Sequence, residues 1–465
     1  MKNFLYSIFL IFIFLLISAI IYLSTIGLET SKLNNLIVKE IVKKEPKIKV
    51  KLEKIKIKLD IKKIQLSLST NNPEISYENI KIPVTKIKIY SKLKKILSSK
   101  IEVSQIVLAV EKLKVQHVQK IAIRTKPSNF KTYLLNNLEG GEIEKALFDL
   151  NIDKNFKLTD YKANGAIKKV NTKITNNFII QDVGFNFIVD DNLILINSIK
   201  ANYEGVSVSN GSINLQKKKY FEIEGKFNSQ FSFKENELKK LFTKTKFFKL
   251  NKIQTQGTLL HEFNLKTNNS FKIIDYEYKS SGNILQSQII LKDSFKNKFL
   301  EKPVKKILFD RTKLEINFNK KNKNSLIFDG MYSTDESNYK KFKIKNNLNK
   351  KKQSYFIDLD LTENIFMDII NFRTNSKKIS NVKSEFNINS NKYIFKYIEL
   401  KEGKNSIFIE GLVLNNRGEI KEVKNINLVT FNNRKENNNL QIKFGKKISI
   451  IGDKYDSTYL LKSLS

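Results

Sequence analysis

The 465-residue chain has no cysteine and no tryptophan, only two histidines, and five prolines. Without cysteine there is neither a disulfide framework nor a thiolate metal site, and the redox character of its compartment is left open. The prolines (Pro46, Pro73, Pro83, Pro127 and Pro303) are too scattered to form a linker, so an uninterrupted sheet is favoured over separate beads. Arginine is equally scarce, limited to Arg124, Arg311, Arg373, Arg417 and Arg434, although Lys and Arg together number 84 against 46 acidic residues, a net charge of +38. The charge is therefore carried by lysine, in a chain also rich in asparagine and isoleucine, as AT-rich codon usage would produce. It reads first as a solvated lysine face and next as a surface for anionic lipid headgroups. Nucleic acid is the disfavoured partner.

Motifs for chemistry are missing too. There is no HExxH, nucleophile elbow, Walker A loop or dinucleotide fingerprint. His117 and His261 stand alone in strand-like stretches. Asp190-Asp191 reads as a turn. Asp358 and Asp360 share the outer face of a strand and lack the loop glycine and third ligand of an EF-hand. The expectation is a protein that is not an enzyme, with no catalytic residues, cofactor or metal.

What is present begins with one apolar run. Phe4 to Leu23 (FLYSIFLIFIFLLISAIIYL) carries no charge and shows no polar face. At about 1.5 Å per residue such a helix spans the roughly 30 Å hydrocarbon core of a bilayer. A cleaved signal peptide would need a small-x-small site, and neither Ser18-Ala19 nor Ser24-Thr25 provides a clear one. Lys2 precedes the run, and Lys32, Lys39, Lys43 and Lys44 follow it. That count alone would place the large domain in the cytoplasm, but long domains cross membranes largely regardless of charge, so orientation stays open.

Beyond the anchor, Ser31 is expected to cap a short amphipathic helix carrying Leu33, Leu36, Ile37 and Ile41, which Pro46 stops. The clearest strand signal follows, KIKVKLEKIKIKLDIKKIQLSLS from Lys47 to Ser69. Its apolar positions alternate, and the parity changes at Glu53-Lys54 and Lys62-Lys63, where a bulge or tight turn must lie. Tyr77, Ile80, Ile82, Val84, Ile87 and Ile89 continue the pattern after a turn at Asn71-Asn72-Pro73. A short helix is expected near Ser91 to Ser98. Leu113, Val115, Ile121 and Ile123 then read as strand. Ser128 to Leu138 reads as a helix closed by Gly140-Gly141, with further helical segments at Asn236 to Phe248, around Phe366 to Phe372, and after Asp456. From Glu142 onward short strands alternate with polar turns, and glycine recurs inside them at Gly165, Gly225, Gly257, Gly282, Gly330 and Gly411, marking bulges or places where a sheet must curl.

The fold class expected is mainly β: an N-terminal transmembrane helix, then an elongated, curled antiparallel β-sheet, groove- or taco-like, with a few short capping helices. The divisions expected are a short cytoplasmic end at 1–3, the anchor at 4–24, a membrane-proximal β/helix module at 25–140 and a repetitive β region at 141–465. So few helices cannot cover so much apolar sheet. Either the sheet closes on itself as a sandwich or barrel, or a trough forms whose inner face something else fills. Near a membrane a lipid acyl chain is the natural filler. By parity, the lipid-groove candidates are Ile55, Ile57, Leu59, Ile61, Ile82, Val84, Ile87 and Ile89, which could equally be plain core.

The anchor, the helix ending at Pro46, the alternating run through Leu68, the NNPEISYENIKIPVTKIKIY segment, the KPSNFKTYL helix and the glycine-bearing strands together resemble the AsmA-like family of inner-membrane-anchored proteins. The resemblance is diffuse but covers most of the chain. The closing IIGDKYDSTYLLKSLS resembles the family boundary before a further C-terminal region, so residues 1–465 are expected to be part of a longer pattern. The resemblance implies a single-pass inner-membrane protein with its large domain in the periplasm, phospholipid as partner, and a role in outer-membrane and envelope homeostasis. An assembly factor that binds outer-membrane or envelope proteins through strand edges is the alternative.

Overall fold

The computed structural model describes residues 2–92, 102–123, 132, 135–155, 157–175, 178–234, 250–321, 324–348, 353–375, 377–389, 392–459 and 461. The chain is mainly β, and 26 strands join one antiparallel sheet. It divides into two compact units: Met1–Tyr203 with Ser209–Ile223 and Asn268–Lys272, and Glu204–Val208 with Glu224–Thr267 and Ile273–Ser465.

The first unit begins with the apolar helix Lys2–Thr25, whose stretch Tyr6–Thr25 is long and apolar enough to cross a membrane. Its end is firmly built. Gly27 adopts φ +81°, and its N–H and that of Ile26 both donate to Tyr22 O, a left-handed helix cap that favours glycine. The Lys58 ammonium donates to Thr25 O, placing a cation at the helix C-terminus. Leu28–Thr30 then pairs with Ile55–Asp60, so the apolar helix runs directly into the sheet. From there the ladder continues through Gln65–Asn71, Val84–Lys92, Val103–Lys114, Glu142–Ile152, Leu158–Thr175, Phe178–Asp190 and Leu193–Tyr203. Because Glu142–Ile152 pairs with Val103–Lys114, the first unit extends well past residue 140.

The parity changes in Lys47–Ser69 mark real breaks. Strands run Ile48–Lys51, Ile55–Asp60 and Gln65–Asn71, and the first belongs to a separate three-stranded sheet with Glu74–Tyr77 and Ile80–Ile82. The short helix is Asn34–Lys44, but Ser31 does not cap it with its side chain; the N-cap is Leu33, without a side-chain cap. The Asn34 side chain is used elsewhere, donating to Leu52 O and Glu53 O at 2.9 and 2.8 Å. It thus fastens the helix to the chain break that the parity change required.

Val115, Ile121 and Ile123 do not lie in a strand. These belong to a helix, Val115–Ile123, which also carries His117. Val115, Val118 and Ala122 recur at helical spacing, while the polar Gln116, His117, Gln119 and Lys120 do not alternate with them as a strand would require. Tertiary contacts fix the choice: Val115 is buried, and Gln119 Nε2 donates to Leu138 O at 2.9 Å. The helices expected at Asn236–Phe248 and beyond Lys92 in Ser91–Ser98 lie outside the described residues, as do Ser128, Phe130 and Leu134; residues 135–137 are helical.

The second unit is a ladder of antiparallel pairs from Leu250–Thr267 and Ile273–Phe295 to the last strand, Ile448–Lys454. Around Phe366–Phe372 the interruption is a 3-10 turn, Asp368–Ile370, between two short paired strands. Ile370 and Phe372 pack into a core with Leu400, Ile407, Leu428 and Leu440. The strand glycines make room for rings as well as bulges. A side chain at Gly225 would overlap the Phe263 ring, and one at Gly257, beside a register shift, would meet Phe231.

Candidate functional site

The site is a cavity in the first unit, formed between the main sheet and the elements packed over it. Strands Gln65–Asn71, Val84–Lys92, Val103–Lys114 and Glu142–Ile152 are neighbours, and alternation turns one set of their side chains to a single face. From that face Leu68, Val84, Ile87, Ile89, Val110 and Ile143 line the space. Val84 and Ile87 both point inward despite their odd separation because the register shifts between Val84 and Lys86, a bulge that restores the apolar face. The opposite wall comes from Ile37 and Ile41 of the short helix, Ile48, Val50, Ile75 and Ile82 of the small sheet, and Val118 and Ile121 of the helix Val115–Ile123.

The cavity volume is about 540 Å³, and among its 26 described lining residues only Lys44, Glu45, Ser69 and Thr70 are polar or charged. That size falls within the roughly 300–1,000 Å³ of ligand pockets. It also sits badly with an ordinary core, whose voids rarely exceed a water molecule. Its rim is open to solvent, where Ile48, Val50 and Ile82 are half-buried.

Of the sequence-predicted groove residues, Ile55, Ile82, Val84, Ile87 and Ile89 line this cavity. Ile57 does not; it packs against the small core of Ile37, Ile55 and Leu68 beneath the short helix. Leu59 is half-buried opposite Leu66 and lies outside the lining. Ile61 sits in a turn and is 55% exposed, because the strand ends at Asp60. Sequence reasoning missed the wall contributed by Ile106, Leu108, Val110, Ile143 and Phe148. The alternation of Ile106, Leu108 and Val110 is visible in the sequence, but which strand neighbours which is a tertiary property.

Three other polar clusters lie in the second unit. His261 Nε2 lies 2.7 Å from Ser229 Oγ, and its Nδ1 lies 2.7 Å from Tyr278 Oη. Burial pushes the His261 pKa down and the Tyr278 pKa up. Ser229 and His261 are buried, Phe227 stacks on the imidazole at 4.5 Å, and the trio reads as a polar rung across three strands. Asp358 and Asp360 are bridged by Asn381 Nδ2 at 2.8 and 2.9 Å, and Lys383 pairs with Asp358. No cluster of three or more metal-ligating side chains occurs among the described residues. A polar basin of about 680 Å³ lies over a ladder in which Gln254 faces Gln288 and Gln256 faces Gln286. Its sequence signal, QTQ and QSQ on separate strands, became readable only once those strands were paired.

No family model, curated protein or solved structure matches this chain.

Proposed function

We propose that this chain is a membrane-anchored protein that binds phospholipid through its acyl chains and passes it onward for envelope homeostasis. The observation that carries the reading is the position of the apolar cavity: it lies in the unit that begins with the membrane-spanning candidate helix. That helix is joined to the sheet by Gly27, the Lys58–Thr25 contact and a strand pairing. In this reading the chain is a single-pass inner-membrane protein with its large domain in the periplasm. The long sheet is a curled surface offering acyl chains an apolar path, and its lysines meet water and headgroups. Many weak contacts suit transfer better than one tight site, because a carrier must also release its cargo.

The test is photo-crosslinking in vesicles with the full chain and a phospholipid bearing a diazirine on one acyl tail. Label should map to the cavity-lining strands and fall several-fold when the half-buried rim residues Val50 and Ile82 are both changed to Asp, while circular dichroism stays β. Labelling that ignores those changes, or maps only to the anchor helix, refutes the reading.

One observation favours the assembly-factor reading. The strand Ile448–Lys454 pairs with Lys435–Phe444, and all seven of its residues are exposed, with Ile448 and Ile450 at 66% and 67%. Among the described residues that is its one pairing, and such an edge can accept another strand. Crosslinks from Ile450 to unfolded barrel proteins, rather than to lipid, would support it.

A further inference from the structure

The cavity wall holds one polar group that the protein leaves without a hydrogen bond. Thr70 lies two residues beyond Leu68 in a regular strand, so both side chains project from the same face, and both line the cavity. Thr70 is 7% exposed, and its Oγ1 has no hydrogen-bond partner. Ser69, the other hydroxyl in the lining, is satisfied: it donates to Lys56 O. Buried hydroxyls are nearly always partnered, because leaving one unpaired forfeits its hydration without return. An unpartnered donor in an otherwise oily chamber is a place for an acceptor oxygen on a mostly hydrocarbon ligand.

The volume sets the rest of the ligand. A methylene group occupies nearly the space of a water molecule, roughly 30 Å³, so about 540 Å³ holds about 18 of them. That is one acyl chain; two chains of a diacyl lipid would need about twice the room.

We propose that the cavity takes a single acyl chain and that Thr70 Oγ1 donates to the carbonyl or carboxylate oxygen at its head. The inference rests on the lipid reading above and narrows it: one tail of a phospholipid, or a monoacyl lipid or fatty acid, enters alone, with its carbonyl end held at Thr70. Lys44 and Glu45 are the charged residues among the described lining, and they are the ones that can meet a headgroup. The shared chemistry is a chain ending in an acyl oxygen, and its two sources, free acid and ester, are separable by experiment.

The measurement is displacement of the fluorescent fatty acid cis-parinaric acid from the full chain held in an amphipathic polymer. Signal from a cavity-blocked Val50→Trp variant in the same polymer is subtracted. Competitors are palmitate, 16-carbon lysophosphatidylcholine, hexadecane and the 22-carbon docosanoate. Thr70→Val should weaken palmitate, lysophosphatidylcholine or both by about fivefold, the worth of one neutral hydrogen bond. Hexadecane should be unchanged, and Thr70→Ser should restore binding. Loss for palmitate alone marks the free acid as the ligand; loss for both marks the ester carbonyl as sufficient. The empty Thr70→Val protein should melt no lower than the parent, since it sheds an unpaired hydroxyl, whereas a structural role for Thr70 would lower its Tm. Unchanged palmitate and lysophosphatidylcholine affinities in Thr70→Val, or docosanoate binding as well as palmitate, overturn this inference and leave the lipid reading standing. If none of the four displaces the probe from the parent chain, the lipid reading itself falls.

Discussion

Ile87 and Ile61 occupy equivalent places in the alternating sequence pattern, and the structure separates them completely. Ile87 is 8% exposed in a core with Val84, Val110, Leu113, Ile143 and Ala146, whereas Ile61 is 55% exposed in a turn. Changing Ile87 to Ala removes three carbons from an apolar environment, about 2.4 kcal/mol at roughly 0.8 kcal/mol per methylene. A residual-void term would ordinarily raise this toward the upper part of the about 2–5 kcal/mol range for Ile→Ala. Here Ile87 already borders the cavity, so part of its surface has no packed neighbour to lose. The expected cost is therefore about 2–3 kcal/mol, at the low end of that range. Ile61→Ala should stay within about 0.5 kcal/mol, the usual limit for surface changes. The assay is native-state hydrogen exchange of the full chain, followed at the backbone amides of Val84–Lys92 and Val103–Lys114, because a protein of two units need not unfold in one step. Opening free energies in those strands should drop for Ile87→Ala and be unmoved for Ile61→Ala. Equal effects of the two substitutions would refute the placement of the cavity wall. So would a loss above about 4 kcal/mol at Ile87, which would mean a close-packed core with no cavity beside it.

Three further predictions concern the second unit and the sheet glycines. Asn438 is fully buried, donates to Ile370 O and Thr430 Oγ1 at 2.7 and 2.8 Å, and accepts from Asp456 N at 2.8 Å. Asn438→Ala should cost about 2–4 kcal/mol, read as faster exchange in Asn425–Asn432 and Lys435–Phe444; near-neutrality would show that the three bonds are not made. Hydrogen bonds from Thr458, Asn437 and Asn371 hold the Asp456 carboxyl pKa down to about 2. With the folded pKa depressed, this contribution is present above about pH 4 and is lost as pH falls from 4 through 2. Loosening of residues 368–375 in that window should vanish in Asp456→Asn, and a persisting transition would assign it to another group. Gly225→Ala should destabilise by about 1–3 kcal/mol through overlap with the Phe263 ring, and far less in a Phe263→Ala background. Additive effects of the two changes would sink the ring-over-glycine account.

Much of the local structure was legible in the residues. The uncharged run from Phe4 to Leu23 sets a membrane-length helix by composition alone. The parity changes at Glu53-Lys54 and Lys62-Lys63 require chain breaks, because a slip of one residue turns every later side chain to the other face. Asp190-Asp191 forms the expected turn, with Asp190 accepting from Asn192 N and Leu193 N. In Val115–Ile123 the residues Val115, Ile121 and Ile123 share the parity of a strand, while Val118 breaks it and falls on the helical period, and the burial of Val115 goes with the helix.

The candidate site divides along the same line. Alternation by itself determined that Ile55, Ile82, Val84, Ile87 and Ile89 belong to apolar faces, since side-chain direction in a strand is a backbone property. Only the tertiary structure decided that the short helix, the small sheet with Ile82, and the helix Val115–Ile123 would face Ile55, Val84, Ile87 and Ile89 across the cavity. Ile57 was taken into the core beneath the short helix, and Ile61 was left at a turn. The unpaired hydroxyl of Thr70 likewise has no sequence signature. It looks like any strand threonine until its surroundings are assembled, because a hydrogen bond depends on what lies within 3 Å in space and not on what is adjacent in the chain.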